Sequence, residues 1–382
     1  MKKVYFDNAA TTPVSQNVIT AMTNCLTQVY GNPSSTHSFG RSAKAIIEQA
    51  RKDIAKQLKV TPAEIIFTSG GTEADNFALQ TAVRDLGVQR IITSKIEHHA
   101  IGHTLDALKK NYNIHIDFVA IDTNGSINLN DLEKLLQNNT RKTLVSLMHV
   151  NNEIGNLLDL KKVGNLCLQH NAFFHSDTVQ SIGHYQLNLN DLNLDFCAVS
   201  AHKFHGPKGV GFTYIKKNTP INPLIFGGEQ ERGYRAGTES VHNIVGLVTA
   251  FTDAYENLEK DTAYIKGLKS YFITKITEEI PDIQFNGLSA HLKKSTYTLV
   301  SILLPVTAEK GQTLLFQLDL KGIACSQGSA CQSGSNSGSH VLSEILNNDD
   351  IKKPTLRFSF SKYNTKDEID YVISTLKGFV NS

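Results

Sequence analysis

The chain has 382 residues, which fits two domains built around a large core. With 40% hydrophobic residues, 19% charged residues and a formal net charge of +2, it carries no strong field favouring nucleic acid or a membrane surface. Its 5 cysteines are an odd number without a CxxC pair, which argues against a disulfide framework or a structural metal site. The start turns polar at Asp7 before an apolar signal segment can form, and no run reaches the length of a membrane span, so the expected location is the reducing cytoplasm.

In chain order, residues 64–68 are predicted as a strand and 72–86 as a helix. Strands follow at 90–93, 114–121, 143–149, 172–176 and 196–200, with helical stretches between them. This alternation implies an α/β fold with a mostly parallel sheet covered on both faces. Residues 209–215 read as a further strand, joined differently because no helix precedes it. From about Asn257 the pattern changes. A long helical stretch leads to Pro281, then come a strand at 298–304, a helix at 310–320, a Ser/Gly-rich loop at 326–338, a strand at 356–360 and a helix at 366–379. The expected division is a large domain, residues 15–257, and a small α+β domain made of residues 1–14 and 258–382. The loop lies between helix and strand inside the small domain, which argues for a functional loop and not a linker.

Four segments carry candidate chemistry. In Ser200-Ala201-His202-Lys203-Phe204-His205-Gly206-Pro207-Lys208-Gly209, a lysine follows an apolar strand and precedes a glycine turn. Its amine can form a Schiff base with an aldehyde cofactor, although a surface lysine would look the same in isolation. Asp177-Thr178-Val179-Gln180 directly follows the strand ending at Ser176, so Asp177 either faces the ligand crevice of an open sheet or caps a helix. In Thr68-Ser69-Gly70-Gly71-Thr72-Glu73-Ala74-Asp75-Asn76, two glycines and a threonine open a helix. That arrangement suits an anion at a helix N-terminus and suits plain capping equally. Glu97-His98-His99 places a histidine where it could stack on a ring and move protons, or serve structurally. The fourteen histidines form no HExxH pattern and no Cys/His cluster, so no metal is expected.

The loop Cys325-Ser326-Gln327-Gly328-Ser329-Ala330-Cys331-Gln332-Ser333-Gly334 holds two thiols. Cys331, among small polar residues, is expected to be accessible, whereas Cys325 abuts the apolar Ile323 and Ala324 and is expected to be packed and inert. Arg357 opens an apolar strand, where an unpaired charge would be costly.

Taken together, these segments resemble the group I cysteine desulfurases, of the class V aminotransferase branch of fold-type I pyridoxal-phosphate (PLP) enzymes. The likeness runs nearly end to end. It includes Tyr5 to Pro13, Gly31-Asn32-Pro33-Ser34-Ser35, Thr68 to Asn76, Glu97-His98, Asn151 to Gly155, Asp177 to Gln180, Ser200 to Gly211, Gly227 to Arg232, Arg235 to Glu239, the Cys331 loop and Arg357-Phe358-Ser359. Ser361 and His99 depart from the family's usual residues, away from the chemistry.

The resemblance implies a large domain with a mostly parallel seven-stranded sheet and a smaller α+β C-terminal domain. It implies that Lys203 is the Schiff-base lysine and that His98 stacks on the PLP ring. Asp177 and Gln180 would hold the pyridine nitrogen and phenolic oxygen. Gly71, Thr72, Ser200 and His202 would bind phosphate, joined by Thr238 from the partner of a homodimer. Asn152 and Arg357 would hold the carboxylate of L-cysteine, with Asn32 nearby. Cys331 would take the sulfur as a persulfide, leave alanine, and pass the sulfur to an acceptor such as an iron–sulfur scaffold protein. Its loop is expected to move between substrate and acceptor. A selenocysteine lyase, a transaminase of the same branch and a noncatalytic sulfur carrier remain alternatives; the last would need neither Lys203 nor Asp177.

Overall fold

Short apolar strands, interleaved with helices, meet in one seven-stranded sheet. The structure, a computed structural model, describes residues 2–137, 140–327 and 338–382. After a short β1 (Val4–Tyr5), the strands of the sheet are β2 (Ile65–Thr68), β3 (Arg90–Thr93), β4 (His115–Phe118), β5 (Thr143–Ser146), β6 (Phe173–Asp177), β7 (Phe196–Ser200) and β8 (Gly211–Ile215). Their order is β2-β8-β7-β6-β5-β3-β4. β4, β3, β5, β6 and β7 pair in parallel, while β8 runs antiparallel to both its neighbours. A parallel pair needs a long crossover, and the short link from β7 to β8 contains no helix long enough to supply one. The different joining expected for this strand is therefore observed.

Both sheet faces are covered, so the central strands read as continuous apolar runs. Side chains nevertheless alternate between two cores. Ile65, Phe67, Ile92 and Val145 enter one cluster, and Ile66, Ile91 and Leu144 enter the other. The first is closed by α1 (Gln16–Gln28) and α2 (Ser38–Leu58), the second by α3 (Gly71–Arg84) and α4 (His99–Tyr112). α2 buries Ala43, Ile47, Ala50, Ile54 and Leu58, the stripe expected of a helix against a sheet.

The C-terminal part has its own sheet, with β10 (Leu299–Leu303) between β9 (Gln284–Phe285) and β12 (Thr355–Ser359). β1 pairs in parallel with β11 (Ile323–Ala324), which draws the N-terminal residues into this part. A third apolar cluster gathers Val4, Phe6, Phe272, Val300, Phe358, Phe360 and Leu376, with Phe6 and Phe360 edge to face at 5.3 Å.

Two sequence expectations are corrected. The helix expected at 310–320 is two short ones, Ala308–Gly311 and Leu314–Leu320; Thr307 caps the first through Lys310 N, and Gly311 lies against Pro354, where a Cβ would fall 2.7 Å from that ring. The strand expected to reach residue 149 ends at Ser146, because the Met148 N–H turns to the Glu97 carboxylate at 3.0 Å. Among the described residues no helix is long and apolar enough to cross a membrane.

Candidate active site

The site forms where β2, β6 and β7 end. Gly70 and Gly71 turn the chain from β2 into α3, and Gly70 has φ of 151°, a conformation that glycine tolerates best. A Cβ on Gly71 would lie 2.6 Å from Val179 Cγ2, so only glycine lets the helix start approach the end of β6 this closely. The first backbone N–H groups of a helix have no partner inside it, and here Gly71 and Thr72 present theirs beside Ser200 and His202.

Asp177 is the last residue of β6 and Ser200 the last of β7. A single turn, Ala201–Lys203, then carries Lys203 over the sheet edge. Lys203 Nζ donates to Ala9 O at 2.7 Å and Ala10 O at 2.8 Å, and Gln180 Nε2 donates to Ala9 O at 2.9 Å. The N-terminal segment is held in place by Thr12, whose N–H donates to His202 O at 2.9 Å. The result is a cavity of about 210 Å³ lined by Gly71, Thr72, His98, Asn152, Asp177, Gln180, Ser200, His202, Lys203 and Arg357, all singled out in the sequence. Ala9, Ala10, Asp75, Met148 and Val179 complete its wall. A larger depression of about 690 Å³, bordered by Val83, Lys109, Tyr112 and Arg141, holds none of those residues.

Burial sets the electrostatics. It pushes the Asp177 carboxyl up to about 6, opposed by the Val179 N–H, which donates to Asp177 at 2.9 Å, and by the Lys203 charge. Burial, then Lys203, lowers His98 to about 4, so its ring is neutral near pH 7; its Nδ1 accepts from Ala100 N at the start of α4. The same two causes hold His202 at about 4. Glu97 is raised by burial to about 8 and accepts from Ser94 Oγ at 2.9 Å.

Arg357 forms a structural ion pair, the alternative to a substrate grip for a charge at this place. Its charge is paired: Nη2 lies 3.0 Å from Asp7 Oδ1, Nη1 donates to Asn152 O at 2.7 Å, and only Nε is buried without a partner. Asn152 itself sits on a turn fixed by Asn151, whose side chain accepts from Glu153 N and Ile154 N and donates to Ile96 O.

Asn32 and Thr238 are exposed and do not line this cavity; Thr238 borders a separate recess with Arg235, Glu239 and Ser240. Cys331 lies outside the described residues. Burial raises the Cys325 thiol to about 12, with the Asp7 charge adding to it, in keeping with the inert role expected. Sequence reasoning assigned no role to Asp75 or Met148. The signal for Asp75 was its place four residues after Gly71, on the face of α3 that also buries Ala74, Ala78 and Ala82.

The model of the family described as Aminotransferase class-V matches residues 4–372. The chain is 39% identical over 381 residues to "Cysteine desulfurase IscS" of Dictyoglomus turgidum, covering 99% of this chain and 95% of that protein. It is 41% identical over 382 residues to the protein of the same name from Clostridium botulinum, covering 98% and 94%. Among solved structures, one described as a NifS-like protein superposes with a TM-score of 0.90 at 36% identity over the whole of both chains. Another, "SspA in complex with cysteine", gives 0.81 at 30% identity, covering 95% of this chain and 100% of that one. With matches that span nearly its whole length, this chain belongs to the class-V aminotransferase family.

Proposed function

We propose that the protein is a PLP-dependent cysteine desulfurase, a sulfurtransferase that converts L-cysteine to L-alanine and carries the sulfur as a persulfide on Cys331. The observation that carries this reading is the convergence of Lys203, Asp177, His98 and the start of α3 on one cavity. The residues fit the cofactor. The start of α3 at Gly71 and Thr72, beside Ser200 and His202 on the cavity wall, suits a phosphate. The buried Asp177 suits a pyridine nitrogen, Gln180 the phenolic oxygen, and the neutral His98 ring the face of the cofactor.

When bound, PLP supplies an electron sink for negative charge at the substrate α-carbon. Lys203 anchors it and, once freed, takes the α-proton. Arg357 and Asn152, with Asn32 nearby, orient the substrate carboxylate. The Cys331 thiolate attacks the substrate sulfur: a sulfur–sulfur bond forms, the carbon–sulfur bond breaks, and its electron pair stays with carbon, which is protonated to alanine.

The same reading divides the molecule into the large domain 15–257 and the small domain 1–14 with 258–382, in line with the separate apolar clusters. It makes the protein a cytoplasmic homodimer that delivers sulfur to an acceptor such as an iron–sulfur scaffold.

The test is incubation of the PLP-loaded protein with L-cysteine and a thiol reductant, assaying alanine and sulfide together. Equal yields of both are expected. No alanine, or alanine formed only with an added amino acceptor, would overturn the reading.

A further inference from the structure

A buried polar row leads from the sheet to the cavity wall, and three of its members, Ser146, His175 and Asp75, have no part in the mechanism above. Asp75 of α3 is 1% exposed, and its carboxylate, a ring nitrogen of His98 and the Asp177 carboxylate have atoms all within 4.8 Å of one another. Asp75 Oδ1 stands 3.3 Å from His175 Nε2, and both atoms are buried without a hydrogen-bond partner among the described residues. His175, fully buried on β6, has its other nitrogen 2.9 Å from Ser146 Oγ on β5. The row Ser146–His175–Asp75–Asp177 thus runs across two strands and one helix and ends at the residue assigned to the cofactor ring.

Two carboxylates this close and this deeply buried resist ionising together. Their surroundings decide which one holds the proton. Asp177 accepts the Val179 N–H at 2.9 Å and feels the Lys203 charge, both of which favour its anion. Asp75 has neither; it faces Asp177 and Glu97, and burial followed by those two charges raises it well above the usual carboxylate range. His175 cannot supply a countercharge, since burial holds it at about 3 and the ring stays neutral. His98 is likewise neutral.

We propose that Asp75 is a positioning residue that carries the single proton of the Asp75–Asp177 pair and turns it toward Asp177, so that Asp177 alone presents one negative charge to the cofactor ring. The row then has a consistent direction. Ser146 Oγ–H donates to His175 Nδ1, which leaves the proton of the neutral His175 ring on Nε2, 3.3 Å from Asp75 Oδ1, and the Asp75 hydroxyl is left to face Asp177. A buried acid kept neutral so that it can donate is a known use of an apolar site. The device prevents a second buried anion from accumulating beside Asp177, and it adds a second contact to the Asp177 carboxylate besides the Val179 N–H.

This inference rests on the proposed cofactor site, and its test separates the two. Infrared difference spectra are compared between the wild-type protein, Asp75→Asn and Asp75→Ala near pH 7.5, with and without PLP. The wild type should show the carbonyl stretch of a protonated carboxyl that both variants lose; any band from Glu97 is common to all three and cancels. PLP titration of the cofactor-free proteins should then show Asp75→Ala binding tenfold or more weaker, while Asp75→Asn, which keeps a donor toward Asp177 and an acceptor for His175, restores affinity to within about threefold of wild type. An unchanged protonated-carboxyl band in Asp75→Asn would place the proton elsewhere and overturn the proposal, whether or not Asp75→Ala folds. Equal PLP affinity in all three proteins would overturn it as well. If wild-type protein takes up no PLP, the functional reading fails, and the band alone still locates the proton.

Discussion

Arg357 Nη2 stands 3.0 Å from Asp7 Oδ1, and the same Asp7 oxygen accepts from Ser326 Oγ at 2.7 Å. One carboxylate of the N-terminal segment therefore holds both the candidate substrate-binding guanidinium and the first residue of the Cys331 loop. Backbone bonds between Ser326 and Arg357 in both directions, at 3.3 and 2.7 Å, reinforce the tie. Asp7 balances a charge on a side chain only 2% exposed, which would otherwise be costly to bury while the site is empty.

This arrangement predicts the effect of Arg357→Lys. An ammonium can keep the Asp7 pair but cannot also grip a carboxylate in a fork. The loss of a charge-assisted contact of about 1.5–3 kcal/mol corresponds to roughly a 10- to 100-fold fall in kcat/KM for L-cysteine. The melting temperature should move little, since Asp7 retains a cation. Steady-state kinetics with undiminished kcat/KM would remove Arg357 from the substrate site.

Lys203→Ala should bind PLP and turn nothing over. The proposed phosphate site of Gly71, Thr72, Ser200 and His202 is untouched by the change, but the amine proposed to anchor the cofactor and take the α-proton is gone. In the wild-type protein, borohydride reduction followed by digestion should leave PLP mass on the peptide containing Lys203. The same mass on another lysine-containing peptide, with none on Lys203, would refute the assignment.

The sequence made the sheet legible because its central strands are short runs buried on both faces. Arg90–Thr93 and Phe196–Ser200 were bounded to the residue. Ten site residues were legible because each stands within a recognisable segment, most of them at a strand end or helix start. What escaped depends on contacts between distant parts of the chain. Asp7 and Arg357 lie 350 residues apart, so the pair has no local signature. Asp75 sits one turn into a helix, where an acid usually marks the solvent face, and only the packing of α3 on β6 and β7 shows that it points inward. Strand 143–149 was read too long because Leu147 and Met148 are apolar and buried like the strand before them, although Leu147 enters the core and Met148 lines the site beyond the strand's end.

Buried histidines predict an acid-labile fold. His149 is almost fully buried, and burial lowers it to about 4 although the Asp159 charge opposes the shift. The unfolded chain then binds a proton below about pH 6.5 that the folded chain refuses, so His149 favours the folded state less and less as pH falls from 6.5 to 4. Its share amounts to on the order of 2 kcal/mol lost by pH 5. The raised carboxyls Glu97 and Asp177 act in the opposite sense, so the informative quantity is the difference between proteins. Thermal unfolding at pH 7 and pH 5 should show a smaller drop in melting temperature for His149→Asn than for wild type. An equal drop would mean that His149 is protonated in the folded state.

Thr238 is exposed, yet its segment is firmly held. Glu231 accepts from Arg51 at 2.7 and 2.8 Å and from Phe67 N at 2.8 Å, and Arg235 pairs with Glu73 at 2.8 Å. A polar segment ordered this way but remote from its own cavity suits a second copy whose phosphate site it completes, as expected for a C₂ dimer. Light scattering should give twice the chain mass, and Thr238→Val should weaken PLP binding about fivefold to tenfold, the loss of one hydrogen bond. A fully active monomer would exclude a shared site.

The last prediction separates the two thiols of the Ser/Gly-rich region. Nucleophilic attack needs a thiolate, and the fraction of thiolate falls tenfold for each unit by which the thiol pKa exceeds the pH. At about 12, the Cys325 thiol is almost wholly protonated near pH 7, packed on the apolar cluster that also holds Ile323. It can neither attack the substrate sulfur efficiently nor hand a persulfide to an acceptor. Cys325→Ser should therefore keep alanine production within about twofold of wild type. Cys331→Ser should still bind PLP and change the cofactor absorbance on addition of L-cysteine, because Lys203, Asp177 and Arg357 remain, but it should release no alanine above background. Alkylation and mass spectrometry after L-cysteine treatment of the wild type should find one additional sulfur on the peptide containing Cys331. If the extra sulfur sits on Cys325, or if Cys331→Ser makes alanine at the wild-type rate, then Cys331 is not the sulfur carrier.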